Sequence, residues 1–238
     1  MQRTDGALSG QQAMEGYQTL RFGQDDEPLV VIDDFAEAQL PRLISLARQG
    51  RFAPVPGFPG VRSPADPTYL GLNGEVLHRA LAAQFGFDGG LRIKSCNYSI
   101  VALTPEQLSP EQRVPHYDDP GEELLAILHY LGDEADGGTA FYRHRRTGFE
   151  TLRPDRVDAY HEALREDDPR FGEPAQAYCY GDSERFELTG EVAAKRDRLV
   201  IYRGRRLHSG RILHPPSGNR RDRVRLTLNT FALGVRAM

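Results

Sequence analysis

The stretch LRIKSCNYSI, residues 91–100, is the first long strand pattern in the chain, and the character of the sequence changes there. Four further short runs rich in β-branched and aromatic residues follow, at 124–130, 139–142, 198–202 and 224–231. Short strands of this kind, separated by turn residues, are typical of a chain built around an antiparallel double sheet.

The first 90 residues have a different pattern. LVVI at 29–32 predicts a strand, and apolar residues at three- and four-residue steps predict helices over 36–48 and 75–84. The segment 51–68, rich in proline and glycine, predicts a loop. Residues 1–27 are polar and are interpreted as a loosely held lead-in.

A third helix is predicted near 156–165, in an insertion over about 155–185 between strands. The chain is therefore expected to be a single domain over 1–238, of α+β class and mainly β. Residues 1–90 would supply a strand and helices packed on the sheet, and 91–238 would form the core.

The composition narrows the classes of function that are expected for the chain. The 238 residues are 39% apolar and 27% charged, with a net charge of −4, so no nucleic-acid partner is expected. No apolar run reaches the roughly 20 residues of a membrane span, and the beginning lacks the apolar segment of a signal peptide. The two cysteines, Cys96 and Cys179, are expected to be reduced thiols in the cytoplasm.

The sequence Val-Pro-His-Tyr-Asp places His116 and Asp118 two residues apart. On a strand, such positions point to the same face, so an imidazole and a carboxylate could hold one cation. A His-x-Asp pair also arises by chance in a chain of this composition, and a polar loop pair is the simpler interpretation of it alone.

His208 closely follows the strong strand pattern over 199–202. Two histidines and one carboxylate on one face of an iron ion leave positions open for other ligands, which is the coordination of non-haem iron(II) oxygenases. Zinc or copper also binds such ligands, so the three residues do not choose the metal.

Residues 222–228 alternate polar and apolar side chains with a period of two. The polar face carries Arg223, Arg225 and Thr227. An arginine that projects into the interior of a sheet structure needs a partner, and a carboxylate matches its guanidinium group. An edge strand with its arginines in water is the alternative.

Taken in their order along the chain, these features match the pattern of a known family over about residues 91–232. The chain resembles the prolyl-hydroxylase-like branch of the iron(II)/2-oxoglutarate oxygenases, and within it an uncharacterised bacterial family, DUF6445. The features that match are Tyr98, His116-Tyr117-Asp118, His129-Tyr130-Leu131, Gly137-Gly138-Thr139, His208, and Arg223 with Thr227.

The resemblance implies a double-stranded β-helix, the jelly roll or cupin-like fold, with iron(II) held by His116, Asp118 and His208. It implies that Arg223 pairs with the far carboxylate of 2-oxoglutarate, and that Tyr98, Tyr130 or Thr227 donate hydroxyl groups. Arg223 lies 15 residues after His208, farther than in the family pattern. Arg225 is therefore the alternative, and Arg223 is preferred because Thr227 repeats the family's arginine-to-threonine spacing.

The resemblance further implies a dioxygenase that uses dioxygen as co-substrate and hydroxylates a small molecule or a peptide. Two other functions compete with it, a non-catalytic metal- or ligand-binding protein and a zinc enzyme of cupin-like type. The arginines at 143–146 and 203–206 are either solvated or recognise an anionic substrate. His129, inside an apolar strand, is expected to be a satisfied core residue.

Overall fold

Two antiparallel sheets form the computed structural model, which describes residues 12–14, 16–216 and 225–237. Within these ranges the larger sheet contains, in spatial order, β1 (Gln12–Met14), β2 (Tyr17–Arg21), β3 (Pro28–Ile32), β10 (Arg198–Arg203), β7 (Leu124–Tyr130), β12 (Leu226–Val235), β6 (Gly90–Val101), β5 (Gly60–Pro64) and β4 (Ala53–Pro54). The smaller sheet contains β11 (His208–Arg211), β8 (Gly138–His144) and β9 (Phe186–Ala193). A strand lies on each of the predicted strand runs.

Helices α1 (Leu40–Gln49) and α2 (Gly74–Ala80) pack on one face of the larger sheet, and a π-helical turn over Leu81–Phe85 continues α2. The apolar stripe of α1 shares a core with alternate residues of the central strands, because successive strand side chains point to opposite faces. Helix α3 (Val157–Phe171) lies in the insertion between β8 and β9, as predicted, and is longer than expected. None of the helices in the described ranges has the length and hydropathy needed to cross a bilayer.

The other face of the larger sheet looks toward the smaller one. Tyr130 on this face shares a core cluster with Phe141 of β8. Tyr130 lies opposite Thr227, Thr227 opposite Ser99, and Ser99 opposite Arg62. Because directly opposite residues project to the same face, this row of four side chains faces the space between the sheets.

The prediction of a loop over 51–68 was wrong, since the segment contains β4 and β5. The residues between Gly60 and Pro64 contain no proline, so the backbone donors of β5 remain available to the sheet. A Cβ atom at Gly60 would lie 2.0 Å from the carbonyl oxygen of Ile100, so only glycine allows this strand to begin there.

The described part of the 1–27 lead-in is not loosely held. It contains β2, and the carboxylate of Glu27 pairs with both Arg203, at 3.0 Å, and Arg205. In the same way Arg143 pairs with Glu150 at 2.6 Å. Arg143, Arg203 and Arg205 therefore bind carboxylates of the chain itself. The sequence predicted instead that the arginines at 143–146 and 203–206 are solvated or recognise an anionic substrate.

His129 is a core residue, as predicted, and one of its two ring nitrogens is satisfied, whereas its buried Nδ1 has no hydrogen-bond partner among the described residues. Its ring is fully buried, and Nε2 lies 2.8 Å from Oδ1 of Asp197. The same carboxylate accepts hydrogen bonds from the backbone N–H groups of Ala36, at 2.9 Å, and Glu37, at 2.7 Å. Asp197 thus connects β7 and β10 to the segment that leads into α1.

We expect Asp197→Ala to lower the free energy of unfolding by about 2–4 kcal/mol, because it leaves an imidazole and two N–H groups buried without their partner. Urea unfolding at neutral pH measures the change. Asp155→Ala, which removes an exposed aspartate, is the control and should change stability little.

Wild type and Asp197→Ala also test how the stabilisation by Asp197 depends on pH. Desolvation acts to raise the pKa of Asp197, but the hydrogen bonds from His129 and from two backbone groups outweigh it and leave the pKa below its usual value. The stabilisation is then present above an ordinary aspartate pKa of about 4 and is lost as the pH falls through the lowered value. A difference between wild type and Asp197→Ala that stays constant in acid would contradict this assignment.

Candidate metal centre

His116, Asp118 and His208 lie together, although 90 residues of sequence separate the first pair from the last. His116 and His208 form an antiparallel bridge in which each N–H donates to the carbonyl oxygen of the other, at 2.9 and 2.8 Å. The N–H of Asp118 donates to the carbonyl oxygen of Gly204 at 2.7 Å. The backbone therefore fixes the His-x-Asp pair beside the distal histidine.

Gly204 allows this close approach. A Cβ atom there would lie 2.9 Å from the side chain of Leu124 and 3.2 Å from the Cβ of Asp118. A larger residue would require the end of the Leu124 side chain to turn aside and Asp118 to shift by a few tenths of an ångström.

The three side chains present one ligand atom each, and these atoms all lie within 4.8 Å of one another. Nε2 of His208 is 3.7 Å from Oδ2 of Asp118, and the two imidazole centroids are 4.4 Å apart. Small side-chain rotations bring such a set onto one ion with bonds of about 2.0–2.2 Å. Two imidazoles and one carboxylate suit a divalent transition metal.

The ring of His208 is oriented for this purpose. Its Nδ1 donates a hydrogen bond to the carbonyl oxygen of Arg206 at 2.8 Å, which leaves the lone pair of Nε2 for a metal. The ring of Tyr202 stands edge-on to His208 at 4.9 Å, and Phe141 lies beyond it at 6.5 Å. The side of the imidazole away from the ligand atoms is thus packed against aromatic rings.

Desolvation by the surrounding protein sets the charges of the group. It lowers the pKa of His116 and of His208 to about 4, and it raises the pKa of Asp118 to about 6. Both imidazoles are therefore neutral at pH 7, the form that binds metals. His116 and Asp118 are exposed residues and His208 is buried, so the group remains open on the side of the first two.

Arg225 points toward the same space from the beginning of β12. Its Nη2 donates to the carbonyl oxygen of Gly138 at 3.0 Å, and its guanidinium group lies 5.6 Å from the ring centroid of Tyr130. The hydroxyl groups of Tyr130 and Thr139 are 2.6 Å apart beside it. Among the described residues, the buried Nε atom of Arg225 has no hydrogen-bond partner, and no carboxylate lies within 4.0 Å of this guanidinium group.

Tyr202 connects the two halves of the site. Burial raises its pKa well above the ordinary value, the negative charge of Asp118 adds to this shift, and the positive charge of Arg225 opposes it. The tyrosine is therefore near both groups. Thr227, fully buried on the same face as Tyr130, completes the wall.

One residue of the predicted set lies elsewhere. Tyr98 is opposite Leu228, belongs to the core beneath α1, and faces away from the space that Tyr130 faces. Its predicted role as a hydroxyl donor to 2-oxoglutarate was wrong, because a shift of one position along a strand moves a side chain to the other face. Arg223, the preferred arginine, lies outside the described residues.

Two residues of the site were missed from the sequence. Tyr202 ends an apolar strand pattern, where an inward-facing tyrosine looks like any core residue. Arg62 lies in the segment predicted as a loop. Its charge acts on His116 and Asp118 in addition to their desolvation, which places it close to the candidate metal ligands.

The insertion between β8 and β9 forms another wall of the candidate metal centre. Tyr117, between the two candidate ligands, has its hydroxyl 3.2 Å from Nε2 of His161 on α3, and its ring meets Tyr160 edge-on. Farther along, the hydroxyl of Tyr178 donates to the carbonyl oxygen of Leu103 at 2.7 Å. The insertion is therefore held to the segment that carries His116.

The chain belongs to a family of unknown function, DUF6445, whose model matches residues 14–232. No curated protein matches the chain at a significant level.

Among solved structures, the chain is similar to HygX from Streptomyces hygroscopicus with nickel and 2-oxoglutarate bound, at 17% identity and a TM-score of 0.47, covering 89% of this chain and 84% of HygX. It is similar to SnoN, a non-heme alpha ketoglutarate dependent epimerase from nogalamycin biosynthesis, at 13% identity and a TM-score of 0.49, over 88% and 81% of the two chains. An N-substituted L-amino acid dioxygenase from Burkholderia ambifaria shares 14% identity at a TM-score of 0.45, over 91% and 94%.

We expect the purified protein to bind one Co(II) ion per chain, with the visible absorption of a site that contains nitrogen and oxygen ligands. His208→Ala and Asp118→Ala should each weaken this binding by more than about tenfold, because each removes a ligand that the fold supplies. His78→Ala, at an exposed position on α2, is the matched control. Equal Co(II) affinity in all four proteins would refute the metal centre.

Proposed function

We propose that the protein is an iron(II)- and 2-oxoglutarate-dependent oxygenase. The observation that carries this proposal is the pairing of two features on one space between the sheets. One is a group of two neutral imidazoles and a carboxylate, and the other is a half-buried arginine, Arg225, whose buried Nε has no hydrogen-bond partner among the described residues. A metal centre alone suits several chemistries, whereas a nearby guanidinium group suits a co-substrate that carries a second carboxylate.

The strand connections support a double-stranded β-helix as the core. From β6 onward, the chain forms β6 and β7 in the larger sheet, β8 and β9 in the smaller one, and then β10, β11 and β12 in the larger, smaller and larger sheet. This places β6, β12, β7 and β10 side by side opposite β11, β8 and β9. The bridge between His116 and His208 adds the segment around His116 to the edge of the smaller sheet.

Within this core, His116, Asp118 and His208 would hold the metal, and Arg225 would pair with the far carboxylate of 2-oxoglutarate. The hydroxyl groups of Tyr130, Thr139 and Thr227 line the same region, and the first two already form a hydrogen bond with each other. We prefer Arg225 to Arg223 because its contacts with Tyr130 and Gly138 direct it into the site.

When bound, iron(II) would supply the reaction of 2-oxoglutarate and dioxygen that gives succinate and carbon dioxide and inserts one oxygen atom into a C–H bond of a substrate. The chain's own residues orient the ligands and limit access of water. The carbonyl oxygen of Arg206 holds the His208 ring, and Tyr202 and Phe141 cover its inner side. We propose a small molecule or a peptide as substrate.

Anaerobic addition of iron(II) and 2-oxoglutarate should produce the weak visible charge-transfer band of a 2-oxo acid bound to iron(II). Admission of oxygen should then yield succinate at a slow rate even without substrate. His208→Ala should lose both signals, because the metal loses a ligand. If the band forms but no succinate appears with any candidate substrate, the protein is a non-catalytic binder; if neither signal appears in the wild type, the proposal fails.

A pair of arginine variants tests the co-substrate site. Arg225→Gln should raise the 2-oxoglutarate concentration for half-maximal band formation by about ten- to hundredfold, because one charge-assisted pair is lost. Arg223→Gln is the matched comparison and should change it little. A larger effect of Arg223→Gln would assign the co-substrate carboxylate to Arg223.

A further inference from the structure

The row of side chains that crosses the larger sheet ends in a second arginine. Arg62 on β5 lies opposite Ser99 on β6, and Ser99 lies opposite Thr227 on β12. Asn229, two residues beyond Thr227, is on the same face and lies opposite Leu128 of the core between the sheets. Arg62, Ser99 and Asn229 thus form a polar patch on the floor of the site.

This polar patch contains buried atoms that lack partners. The Nε atom of Arg62, the hydroxyl oxygen of Ser99 and the Oδ1 atom of Asn229 are all buried, and none of them has a hydrogen-bond partner in the part of the chain that the structure describes. Ser99 is 1% exposed and Asn229 9% exposed. Buried polar groups are normally satisfied, so three orphan atoms on one face indicate that a polar ligand completes them.

The charge of Arg62 is likewise uncompensated at short range. Among the described residues, no carboxylate oxygen lies within 4.0 Å of its guanidinium group, which instead stacks on the ring of Phe58 at 4.3 Å. Several arginines around the site pair with an acid of the chain, as Arg203 does with Glu27. Arg62 differs from these arginines in the same way that Arg225 does.

Arg62 and Arg225 come from different strands of the larger sheet. Arg225 lies directly before β12 and contacts Tyr130 of β7, whereas Arg62 is on β5, two strands from β12 and three from β7. Strands lie about 4.8 Å apart, so β5 is roughly 10 Å from β12 and roughly 14 Å from β7. One five-carbon acid on Arg225 would leave Arg62 free to hold another acid.

We propose that Arg62, with Ser99 and Asn229, binds the carboxylate end of the substrate beside the metal centre. This inference rests on the proposed function and names the substrate class as a carboxylic acid with a nearby hydrogen-bond donor, such as an amino-acid or hydroxy-acid derivative. The guanidinium and hydroxyl groups would donate to the carboxylate, and Oδ1 of Asn229 would accept from the N–H or O–H group. A single cation next to Asp118 suits a monoanion better than a doubly charged phosphate.

The test uses N-acetylglycine, which carries a carboxylate and an N–H group, and its neutral amide N-acetylglycinamide. Saturation-transfer NMR on the acetyl methyl signal measures both dissociation constants, with excess 2-oxoglutarate and Zn(II) present so that no oxidation occurs. We expect the acid to bind wild type more tightly than the amide. Arg62→Gln should weaken binding of the acid by about ten- to hundredfold and leave the amide unchanged.

Three further variants separate recognition from folding. Arg62→Lys keeps the charge but loses the bidentate geometry, so it should bind the acid with intermediate affinity. Arg48→Gln, at an exposed position on α1, should bind it like wild type. Urea unfolding shows whether each variant is folded, and Ser99→Ala, with a smaller loss of acid binding, tests the site if Arg62→Gln does not fold.

The inference is overturned if acid and amide bind equally, or if Arg62→Gln binds the acid as wild type does. It is also overturned if Arg62→Gln weakens 2-oxoglutarate instead, because Arg62 would then hold the co-substrate. Succinate formation is read separately. Selective binding of the acid without succinate formation would retain this site and reject the oxygenase, and succinate formation without such binding would do the reverse.

Discussion

The pair of backbone hydrogen bonds between His116 and His208 is the constraint on which the rest of the site depends. These bonds join a segment outside the regular strands to the beginning of β11. The backbone alone therefore brings both imidazoles and the carboxylate of Asp118 together, and no contact between the three side chains is needed for it. Because backbone groups make the connection, a ligand side chain can be exchanged without loss of the bridge. Desolvation by the protein, with Tyr202 and Phe141 packed against His208, lowers the pKa of both imidazoles and keeps them neutral, which favours a metal over protons.

A second principle is the distribution of arginines around the space between the sheets. Burial of a guanidinium group is costly unless a partner satisfies it, and Glu27 and Glu150 provide partners for several of these residues. Their ion pairs tie the segment before β3 and the turn after β8 to the core. Arg225 and Arg62 receive no such partner from the described chain, although each has a buried Nε atom. Binding of an acid to each of these two arginines would offset the free-energy cost of burying them.

The sequence predicts the parts of this structure that follow from local patterns. Strand runs, the helix before residue 50 and the core role of His129 have short-range signals, and the order of motifs from Tyr98 to Thr227 suffices to group the three candidate ligands. The side of the sheet on which Tyr98 lies has no such signal, because the register is set by pairing with Leu228. For β5, the surrounding prolines conceal a strand whose residues between Gly60 and Pro64 pair normally. Arg62 was missed for that reason.

The position of β5 also suggests how the two halves of the chain divide their tasks. The part of the chain after residue 90 carries the candidate metal ligands and Arg225, whereas Arg62 comes from a strand that extends the larger sheet beyond β6. Because β5 pairs with β6 in fixed register, the residue opposite Ser99 always reaches the inner face. Substitutions in this strand can therefore change which ligand end is recognised without moving the backbone bridge between His116 and His208. The added N-terminal strands, in this view, determine selectivity, while the core determines the chemistry.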